Sequence, residues 1–491
     1  TSYTAFGQID TQTVADGTGL ARSTRFAYDR RGIVSATRES GGGLTRSTVV
    51  RTDAFGNAYQ WTDARGVITT ATHDRLGRQI ELTRAMDAPT DGATTATVRT
   101  TYDAWGRVLT RTDASGRSTT TVYDDRQRRI SVRSGDGVTT TTTANRHGET
   151  VSLRVEGGSR THQGITTEAA AQETLFEYDR SGRLIRTTRV GVDDQAGAQS
   201  AQNGYDLRGL RVWSSDADGR LTIHRYDAVG RRLESILDPS AEDAAAFGIT
   251  GLTGYSAQPL RIRTQLRVDG QGRTVEMIDA AGTVTRYEYD RAGQQTRIIV
   301  DPTGLRLQTV IERDALGQTV FVREGDAANP NLRLTRYEYD GLGRRTAERV
   351  DPEGLNLTTS YRYDANDNVV AKVDPTGHTT RYVYDADNRL RFVIDPLNGV
   401  EETRYDAAGR KTEQRRYTQA LALSAGELAS LEAAAPGAAS LLLTQRLSGL
   451  AAITERYQYD AGGRLEAVTD ALNQVERYAY NARGERIARI D

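Results

Sequence analysis

The sequence predicts an all-β protein: a long, spiralling antiparallel sheet of tandem hairpins that forms a hollow shell or tube wall and carries a small helical insertion. Three observations predict it. A Tyr-Asp motif recurs twelve times in 491 residues. The runs between motifs alternate polar and apolar residues, as strands with two different faces do. Each run is about seven residues long and bounded by Gly or Pro, which is too short for a helix.

The repeated unit has the pattern Y-D-x-x-G-R, from Tyr28-Asp29 to Tyr459-Asp460. Counting degenerate copies such as "HDRLGRQI" at His73, we find 19 copies, and eight of the 18 intervals are 21 residues long. Such a period is typical of repeat architectures. The predicted turn residues, taken from eight clear copies, are Tyr28, Asp29, Gly32, Tyr102, Asp103, Gly106, Tyr178, Asp179, Gly182, Tyr226, Asp227, Gly230, Tyr289, Asp290, Gly293, Tyr339, Asp340, Gly343, Tyr405, Asp406, Gly409, Tyr459, Asp460 and Gly463.

Half a period after each motif comes a second turn of the type D-[AP]-x-G, as at Asp63 and Asp301. In both turns we expect the Asp side chain to accept from the backbone and the closing Gly to adopt a positive φ. Each period then holds two strands and two turns. In "RYEYD", Tyr287 and Tyr289 lie on one face, and we expect such tyrosines to stack on one another across the sheet.

The number of repeats determines the overall shape. Nineteen units of two strands give about 38 strands, and at roughly 4.8 Å per strand the strip is about 180 Å long. Open twisted sheets rarely exceed ~10 strands before they curl or split. Large aliphatic residues are also too few for a thick core between two sheets. We therefore expect residues 1–491 to form one coiled segment.

Insertions interrupt the repeat without dividing the chain. The largest, residues 417–455, contains "SAGELASLEAAA" and "GAASLLLTQRLSGL" separated by Pro436-Gly437. This pattern predicts a helical hairpin whose first helix is capped by Ser424. A further helical turn is expected near Ala241. The shorter predicted insertions are 85–97, 157–173, 191–203, 237–259 and 325–333.

Composition narrows the functional classes. The chain has 64 basic and 65 acidic residues, a balance that argues against nucleic-acid binding. No apolar run is long enough to cross a membrane. Cysteine is absent, so the sequence requires no particular redox compartment. The chain begins "TSYTAFGQID" without Met, and we expect it to be a piece of a longer protein.

The alternation of Y-D-x-x-G-R with D-P-x-G resembles the YD repeat of the RHS family. That family includes bacterial Rhs polymorphic toxins, the B and C components of Tc toxins, wall-associated proteins and teneurins. The resemblance implies a secreted or cell-surface bacterial protein whose sheet forms a shell around a C-terminal toxin domain. Its expected partners are the rest of its own polypeptide, including an N-terminal delivery region, or a neighbouring shell subunit. The expected function is a non-enzymatic scaffold.

Catalytic and metal sites are not predicted. The Asp residues sit where turns require them, which explains them better than glycoside hydrolysis does. "DADGR" at Asp216 lacks the other ligands of a calcium loop, and no metal-ligand spacing relates the five histidines. They are His73, His147, His162, His224 and His378. We expect no cofactor.

One pair of aspartates resembles a self-cleavage site of the RHS family. Asp374 ("DPTG") and Asp395 ("DPLNG") lie 21 residues apart, which is simply the repeat period. The second element departs from D-P-x-G, and ordinary repeats follow it. We therefore expect no catalytic role for this pair.

Aromatic residues suggest an alternative function. The 23 Tyr and three Trp residues could stack on sugars, as in an extracellular adhesion module or filament wall that recognises glycans or cell surfaces. Trp61, Trp105 and Trp213 are isolated near turns. We favour a structural role for the aromatics.

Overall fold

The computed structural model describes residues 1–15, 21–86, 95–157, 159–162, 165–168, 171–190, 198–433, 438–480 and 484–490. Within these ranges 38 strands form one antiparallel sheet. Each strand pairs with the next strand along the chain, apart from one short hairpin between β14 and β17 that forms its own two-stranded sheet. The predicted fold class is confirmed.

The strands of the first half are β1 Ser2–Tyr3, β2 Ile9–Ala15, β3 Ala21–Tyr28, β4 Val34–Gly41, β5 Leu44–Thr52, β6 Ala58–Thr62, β7 Ile68–His73, β8 Gln79–Ala85, β9 Thr95–Tyr102, β10 Val108–Thr112, β11 Ser118–Asp124, β12 Arg129–Arg133, β13 Thr139–Ala144, β14 Thr150–Glu156, β15 Ser159–His162, β16 Ile165–Glu168, β17 Gln172–Tyr178, β18 Leu184–Val190, β19 Gln199–Tyr205 and β20 Arg211–Ser215.

The strands of the second half are β21 Leu221–Tyr226, β22 Arg232–Leu237, β23 Ile262–Val268, β24 Thr274–Ile278, β25 Val284–Tyr289, β26 Gln295–Val300, β27 Leu307–Arg313, β28 Thr319–Gly325, β29 Arg333–Tyr339, β30 Arg345–Val350, β31 Leu357–Tyr363, β32 Val369–Val373, β33 Thr379–Tyr384, β34 Leu390–Ile394, β35 Val400–Tyr405, β36 Lys411–Tyr417, β37 Ala452–Tyr459, β38 Leu465–Thr469, β39 Val475–Tyr480 and β40 Arg486–Ile490.

Three helices occur in the described ranges: α1 Ala241–Ala246, α2 Ala425–Ala433 and α3 Ala438–Leu447. The hydroxyl of Ser240 caps α1 in a reciprocal capping box with Asp243. The hydroxyl of Ser424 accepts from the backbone amide of Glu427 at 3.2 Å at the start of α2. Both stretches that the sequence marked as helical, near Ala241 and inside 417–455, are therefore helical.

Both helical insertions lie on one face of the sheet. Ile223 and Ile236 pack under α1, and Val383 and Phe392 pack under α2 and α3. Because side chains alternate along a strand, Val383 points away from the face that carries the motif tyrosine Tyr384. The sheet thus has a tyrosine face and a helix face, and its buried apolar clusters lie under the insertions.

The strip winds past itself. The turn containing Arg65, between β6 and β7, contacts the turn at Asp385, between β33 and β34. Arg117, between β10 and β11, likewise reaches Asp460, between β37 and β38. Counted along the main sheet, 25 strands separate each pair of turns. At 4.8 Å per strand, one coil is roughly 120 Å around and about 38 Å across at mid-sheet.

The exposed area agrees with an open coil. The chain exposes 28405 Å², whereas a compact monomer of 53.8 kDa exposes about 18,000 Å². Fully buried apolar side chains of large size are few and include Phe392, Ile223 and Leu443. No helix in the described ranges is long and apolar enough to cross a membrane.

Candidate functional site

Each motif turn is held by its own aspartate. At Asp74, Oδ1 accepts from the backbone amides of Leu76 at 2.9 Å and Arg78 at 3.0 Å. The carbonyl of Asp74 accepts from the amide of Gly77 at 3.0 Å, and Gly77 has φ 76°. This is a type I turn closed by a glycine in the left-handed region. The eight predicted turn glycines, Gly32, Gly106, Gly182, Gly230, Gly293, Gly343, Gly409 and Gly463, all have positive φ.

The arginine that follows the glycine links one repeat to the next. Arg78 Nε donates to Asp74 Oδ2 at 2.7 Å, and Arg78 Nη1 donates to the carbonyl of Asp103 at 2.9 Å. The same guanidinium lies 4.7 Å from the centre of the Tyr102 ring. The Tyr102 hydroxyl closes the link by donating to the carbonyl of Gln79 at 2.8 Å. We call this arrangement the repeat clasp.

The repeat clasp recurs along the chain with little change. Arg344 bonds Asp340, donates to the carbonyl of Asp364 at 2.7 Å and lies 4.9 Å from the Tyr363 ring. Arg389 does the same with Asp385, the carbonyl of Asp406 and Tyr405. Where arginine is absent, Gln318 donates to the carbonyl of Gly343 at 3.0 Å instead. The Tyr, Asp, Gly and Arg of the motif therefore serve one interlocking device.

The repeat clasp corrects the expected tyrosine ladder. The aromatic pair that the structure places in contact among the described residues is His224 with Tyr226. Motif tyrosines stack under arginines instead, because the arginine of the preceding turn reaches across the hairpin and covers the ring. Sequence alternation showed which face the tyrosines share. It missed the Arg–Tyr pairing, although the regular Arg after each Gly was a visible signal.

Arginine contacts stabilise the charged form of the turn aspartates. Hydrogen bonding from the Arg31 side chain, followed by the backbone amide of Ile33, lowers the pKa of Asp29 to about 2. At Asp74 the Arg78 side chain is the main cause of a lowered pKa. A carboxylate with a lowered pKa in the folded state stabilises the fold above its unfolded pKa, and this contribution is lost as pH falls through the folded pKa.

We expect acid to remove this stabilisation in a defined window. For Asp29 the window runs from about pH 4, the unfolded value, down to about 2, its folded pKa. The melting temperature of the wild-type chain should be higher than that of Asp29→Asn at pH 5, and the two should converge near pH 2. Thermal melts of both proteins across this range provide the measurement. A difference that stays constant from pH 5 to 2 would contradict the assignment.

The turn glycines provide a second prediction. Gly343 has φ 82°, and a Cβ there would lie 3.0 Å from Gln318 Nε2. Gly343→Val should therefore cost more than ~1 kcal/mol in the free energy of unfolding. Gly270 is the matched control, since it lies in a motif turn with open space around its Cα and no positive φ. Denaturant melts should show Gly270→Val close to wild type; equal loss in both variants would refute the turn geometry.

Two of the half-period turns differ from expectation. Glycine was expected to supply the positive φ in D-P-x-G. In the turns at Asp301 and Asp351, the aspartates themselves have φ 50° and 51°, and Arg306 and Asn356 have φ 52° and 49°. The amide of Arg306 bonds the carbonyl of Asp301 at 2.8 Å, so the turn is wider than four residues. The proline explains the shift, because it disfavours the right-handed helical region for the residue before it.

The aspartates considered for catalysis are occupied by their own turns. Asp374 Oδ1 accepts from the amides of Thr376 and His378, and Asp395 Oδ1 accepts from those of Leu397 and Gly399. The two turns belong to neighbouring repeats two strands apart, about 10 Å along the sheet. Asp216 Oδ1 likewise accepts from two amides of its own turn. In the described part of the chain no three His, Asp or Glu residues converge as a metal site does.

The tryptophans do not form a shared platform. Trp105 is exposed, with Arg107 5.0 Å from its ring centre. Trp213 packs closely over Gly204, on the face covered by α1. Trp61 lines a cleft between the two coils together with Arg84 and Asn366. Each therefore has a separate environment.

The contact between coils is a polar seam. It joins the half-period turns of the first coil to the motif turns of the second. Arg65 Nη1 donates to Asn388 Oδ1 at 2.8 Å, its Nη2 donates to the carbonyl of Asp385 at 2.9 Å, and its Nε lies 3.7 Å from Asp364 Oδ2. The Arg65 side chain is only 6% exposed. Asn366 Nδ2 donates to Asp63 Oδ2 at 2.7 Å.

The seam continues around the coil. Arg46 forms an ion pair with Asp367, and Arg464 pairs with Asp136 at 3.1 Å. Gly41 approaches Gly341 so closely that no Cβ would fit at either position. A small apolar cluster of Met86, Ala96 and Ala407 bridges the coils where charges are absent. The contacts together fix the second coil on the first.

Departures from the repeat motif mark the seam. In the turns "DAND" and "DADN" the closing glycine is replaced by Asp367 and Asn388, which have φ 68° and 66°. Non-glycine residues pay a conformational cost in this region. Both side chains reach the first coil, Asp367 to Arg46 and Asn388 to Arg65. The cost is therefore spent on seam contacts that glycine could not make.

Comparison with known proteins places this architecture in a class of repeat shells. The RHS Repeat family model matches residues 102–139, 268–306, 363–397 and 459–491. The chain therefore carries RHS repeats, and the resemblance drawn from the motifs is confirmed. The copy at Asn481 within the last match lies outside the described residues.

Curated relatives match parts of the chain. It is 31% identical over 176 residues to "Toxin protein Tse5" of Pseudomonas aeruginosa, covering 30% of this chain and 13% of the relative. It is 27% identical over 175 residues to "Probable deoxyribonuclease RhsB" of Dickeya dadantii, covering 29% and 11%. The chain thus spans about an eighth of the length of these relatives.

Solved structures share the fold. A crystal structure of TcdB2-TccC3 superposes with a TM-score of 0.54 at 18% identity, covering 99% of this chain and 26% of that one. The Tc holotoxin pore of Photorhabdus luminescens gives a TM-score of 0.54 at 16% identity, covering 99% and 27%. The likeness extends over the whole strip, including its coiling.

Proposed function

We propose that this chain is a non-enzymatic wall segment of an RHS shell in a larger secreted or cell-surface bacterial protein, and that the shell encloses or presents a toxin domain. The observation that carries the proposal is the coil itself. A sheet that winds past itself and is locked by a polar seam has an interior, and the chain exposes far more area than a compact fold of its mass.

The width of the interior limits its cargo. A coil about 38 Å across at mid-sheet leaves a channel of roughly 28 Å once side chains are allowed for. A sphere of that diameter holds a folded domain of only about 60 residues. A larger cargo in this segment has to be elongated along the axis or held without its compact fold. The cargo is therefore expected to be the chain's own polypeptide, whose tether makes entry intramolecular.

A scaffold role also agrees with the state of the polar residues. The turn aspartates bond backbone amides and arginines, and the motif tyrosines lie under arginines with their hydroxyls bonded to carbonyls. These groups are already occupied by the repeat clasp, so they contribute to the wall and not to a reaction. The ring faces that an adhesion module would offer to sugars are covered in the same way.

Protection of a tethered peptide tests enclosure. A flexible reporter carrying a site for a specific protease would be fused after Asp491, and its cleavage compared with that of the free reporter. We expect the fused reporter to be cut at least ten-fold more slowly, and Arg65→Ala, which weakens the seam, to restore much of the rate. Equal cleavage of fused and free reporters would contradict enclosure by this segment.

A separate incubation tests the absence of self-processing. The purified chain should remain intact, because Asp374 and Asp395 hold their own turns. Gel electrophoresis and intact-mass measurement over several days provide the readout. A fragment ending near Asp395 that is absent from Asp374→Asn would show that the chain is an enzyme.

A further inference from the structure

The third residue of the motif turns is large and apolar along the free edge of the first coil. Phe6, Phe55, Leu76 and Trp105 are 91%, 90%, 72% and 79% exposed. We call these four residues the first rim. They belong to four of the first five repeats, so neighbouring tips are about 10 or 20 Å apart along the strip. A contiguous row of exposed apolar side chains marks an interaction surface more often than isolated ones do.

The free half-period edge carries a second such row. Leu305, Leu332, Leu355, Leu397 and Leu472 are 69%, 69%, 76%, 82% and 78% exposed. We call these five leucines the second rim. The turns that meet inside the seam differ from both rims. On the first-coil side they present Gly42, Arg65, Ser115 and Asp136, which are small or polar.

The seam shows what these two kinds of edge bind. Inside it, motif turns of the second coil dock on half-period turns of the first. Leu342, at the third turn position like the residues of the first rim, is only 6% exposed there, and its turn lies against the hairpin at Gly41. The first rim is the continuation of this docked row one coil earlier. Its natural counterpart is therefore a half-period edge.

We propose that the two rims are complementary interfaces through which copies of this chain stack end to end, with the first rim of one copy on the second rim of the next. Every copy presents both edges. Both rims are built from the same two-strand unit, so their tips recur at the same interval of about 10 Å. The contact is heterologous and leaves one rim of each kind free, so stacking is open-ended. It does not depend on whether the lumen holds a cargo.

Two rim variants and their mixture test the proposal. The first variant carries Phe55→Ser, Leu76→Ser and Trp105→Ser, and the second carries Leu355→Ser and Leu397→Ser. Analytical ultracentrifugation of the wild-type chain should show oligomers that grow with concentration. Each variant alone should associate at least ten-fold more weakly. An equimolar mixture should stop at a dimer, because one intact rim of each kind remains. Val122→Ser, a mid-strand position that is 60% exposed, is the control and should stack like wild type.

Several results would overturn stacking. A wild-type chain that stays monomeric at all accessible concentrations would do so, as would oligomers that persist in both rim variants. Circular dichroism of the variants should match wild type, since the substituted side chains are exposed. Vesicles of neutral phosphatidylcholine are the competing partner. Binding to them, lost in the first variant and without self-association, would assign the rims to a membrane surface instead.

Discussion

Replacing Phe392 with alanine is expected to cost about 3–5 kcal/mol in unfolding free energy. Phe392 is fully buried in the cluster that joins β33, β34 and β35 to α2 and α3. Its neighbours include Ile394 and Leu443, both also fully buried. Such a site cannot collapse around the lost ring, because the strands are fixed by their hydrogen bonds and the helices rest on several neighbouring side chains.

The loss should be local. In a repeat sheet each unit contacts mainly its neighbours, so stability is divided among units. Hydrogen exchange in Phe392→Ala should therefore accelerate in 379–447 and stay unchanged in 21–60. Val122→Ala, at an exposed strand position, is the control and should have little effect. A uniform loss of protection along the whole chain would show that the fold unfolds as one unit.

Arg65→Ala is expected to cost about 3 kcal/mol, because it removes the cation from a nearly buried polar site. Three partners of the second coil lose their contact: the Asn388 side chain, the Asp385 carbonyl and the Asp364 carboxylate. The second coil should consequently separate more readily from the first. Hydrogen exchange at the turns 364–368 and 385–389 should accelerate in the variant.

Two further substitutions separate seam contacts from turn strain. Arg126→Ala changes an exposed arginine at the same turn position and should leave the seam unchanged. Asn388→Gly removes the seam contact but relieves the positive φ, whereas Asn473→Gly relieves a similar φ of 62° in a half-period turn of the second coil. We expect Asn473→Gly to be neutral or stabilising and Asn388→Gly to weaken the seam. Identical behaviour of the two would show that Asn388 contributes nothing to it.

Local structure follows from the sequence because the determining signals are local. The alternation in "RYEYD" identifies strands, Asp and Gly identify turns, and Ser240 and Ser424 identify helix starts. The number of strands in the main sheet follows from the same counting. The exchange of roles at Asp301 and Asp351 was missed because a proline after the aspartate changes the preferred φ of that residue, an effect that the four-letter pattern does not express.

The seam could not be read from the sequence in the same way. Arg65 and Asn388 are 323 residues apart, and every repeat presents a similar turn as a possible partner. Which turns meet depends on the number of strands per coil, which is set by the accumulated twist and curvature of the sheet. The replacement of glycine by Asp367 and Asn388 was a visible signal, but its meaning requires the partner. The repeat clasp has the same character, since Arg78 acts on Tyr102 of the following repeat.

The central claim is that one continuous sheet winds past itself so that its second coil lies on its first. The chain lacks cysteine, so spin labels can be placed uniquely at Ile68→Cys and Ala386→Cys, on opposite sides of the seam. Pulsed electron resonance should give a label separation on the order of 20 Å, because Val67 and Ala386 line the same cleft. If the strip were an uncoiled sheet, the 25 strands between these positions would place them about 120 Å apart. A narrow short distance supports the coiled shell; the absence of any distance below about 60 Å, half the uncoiled separation, would contradict it.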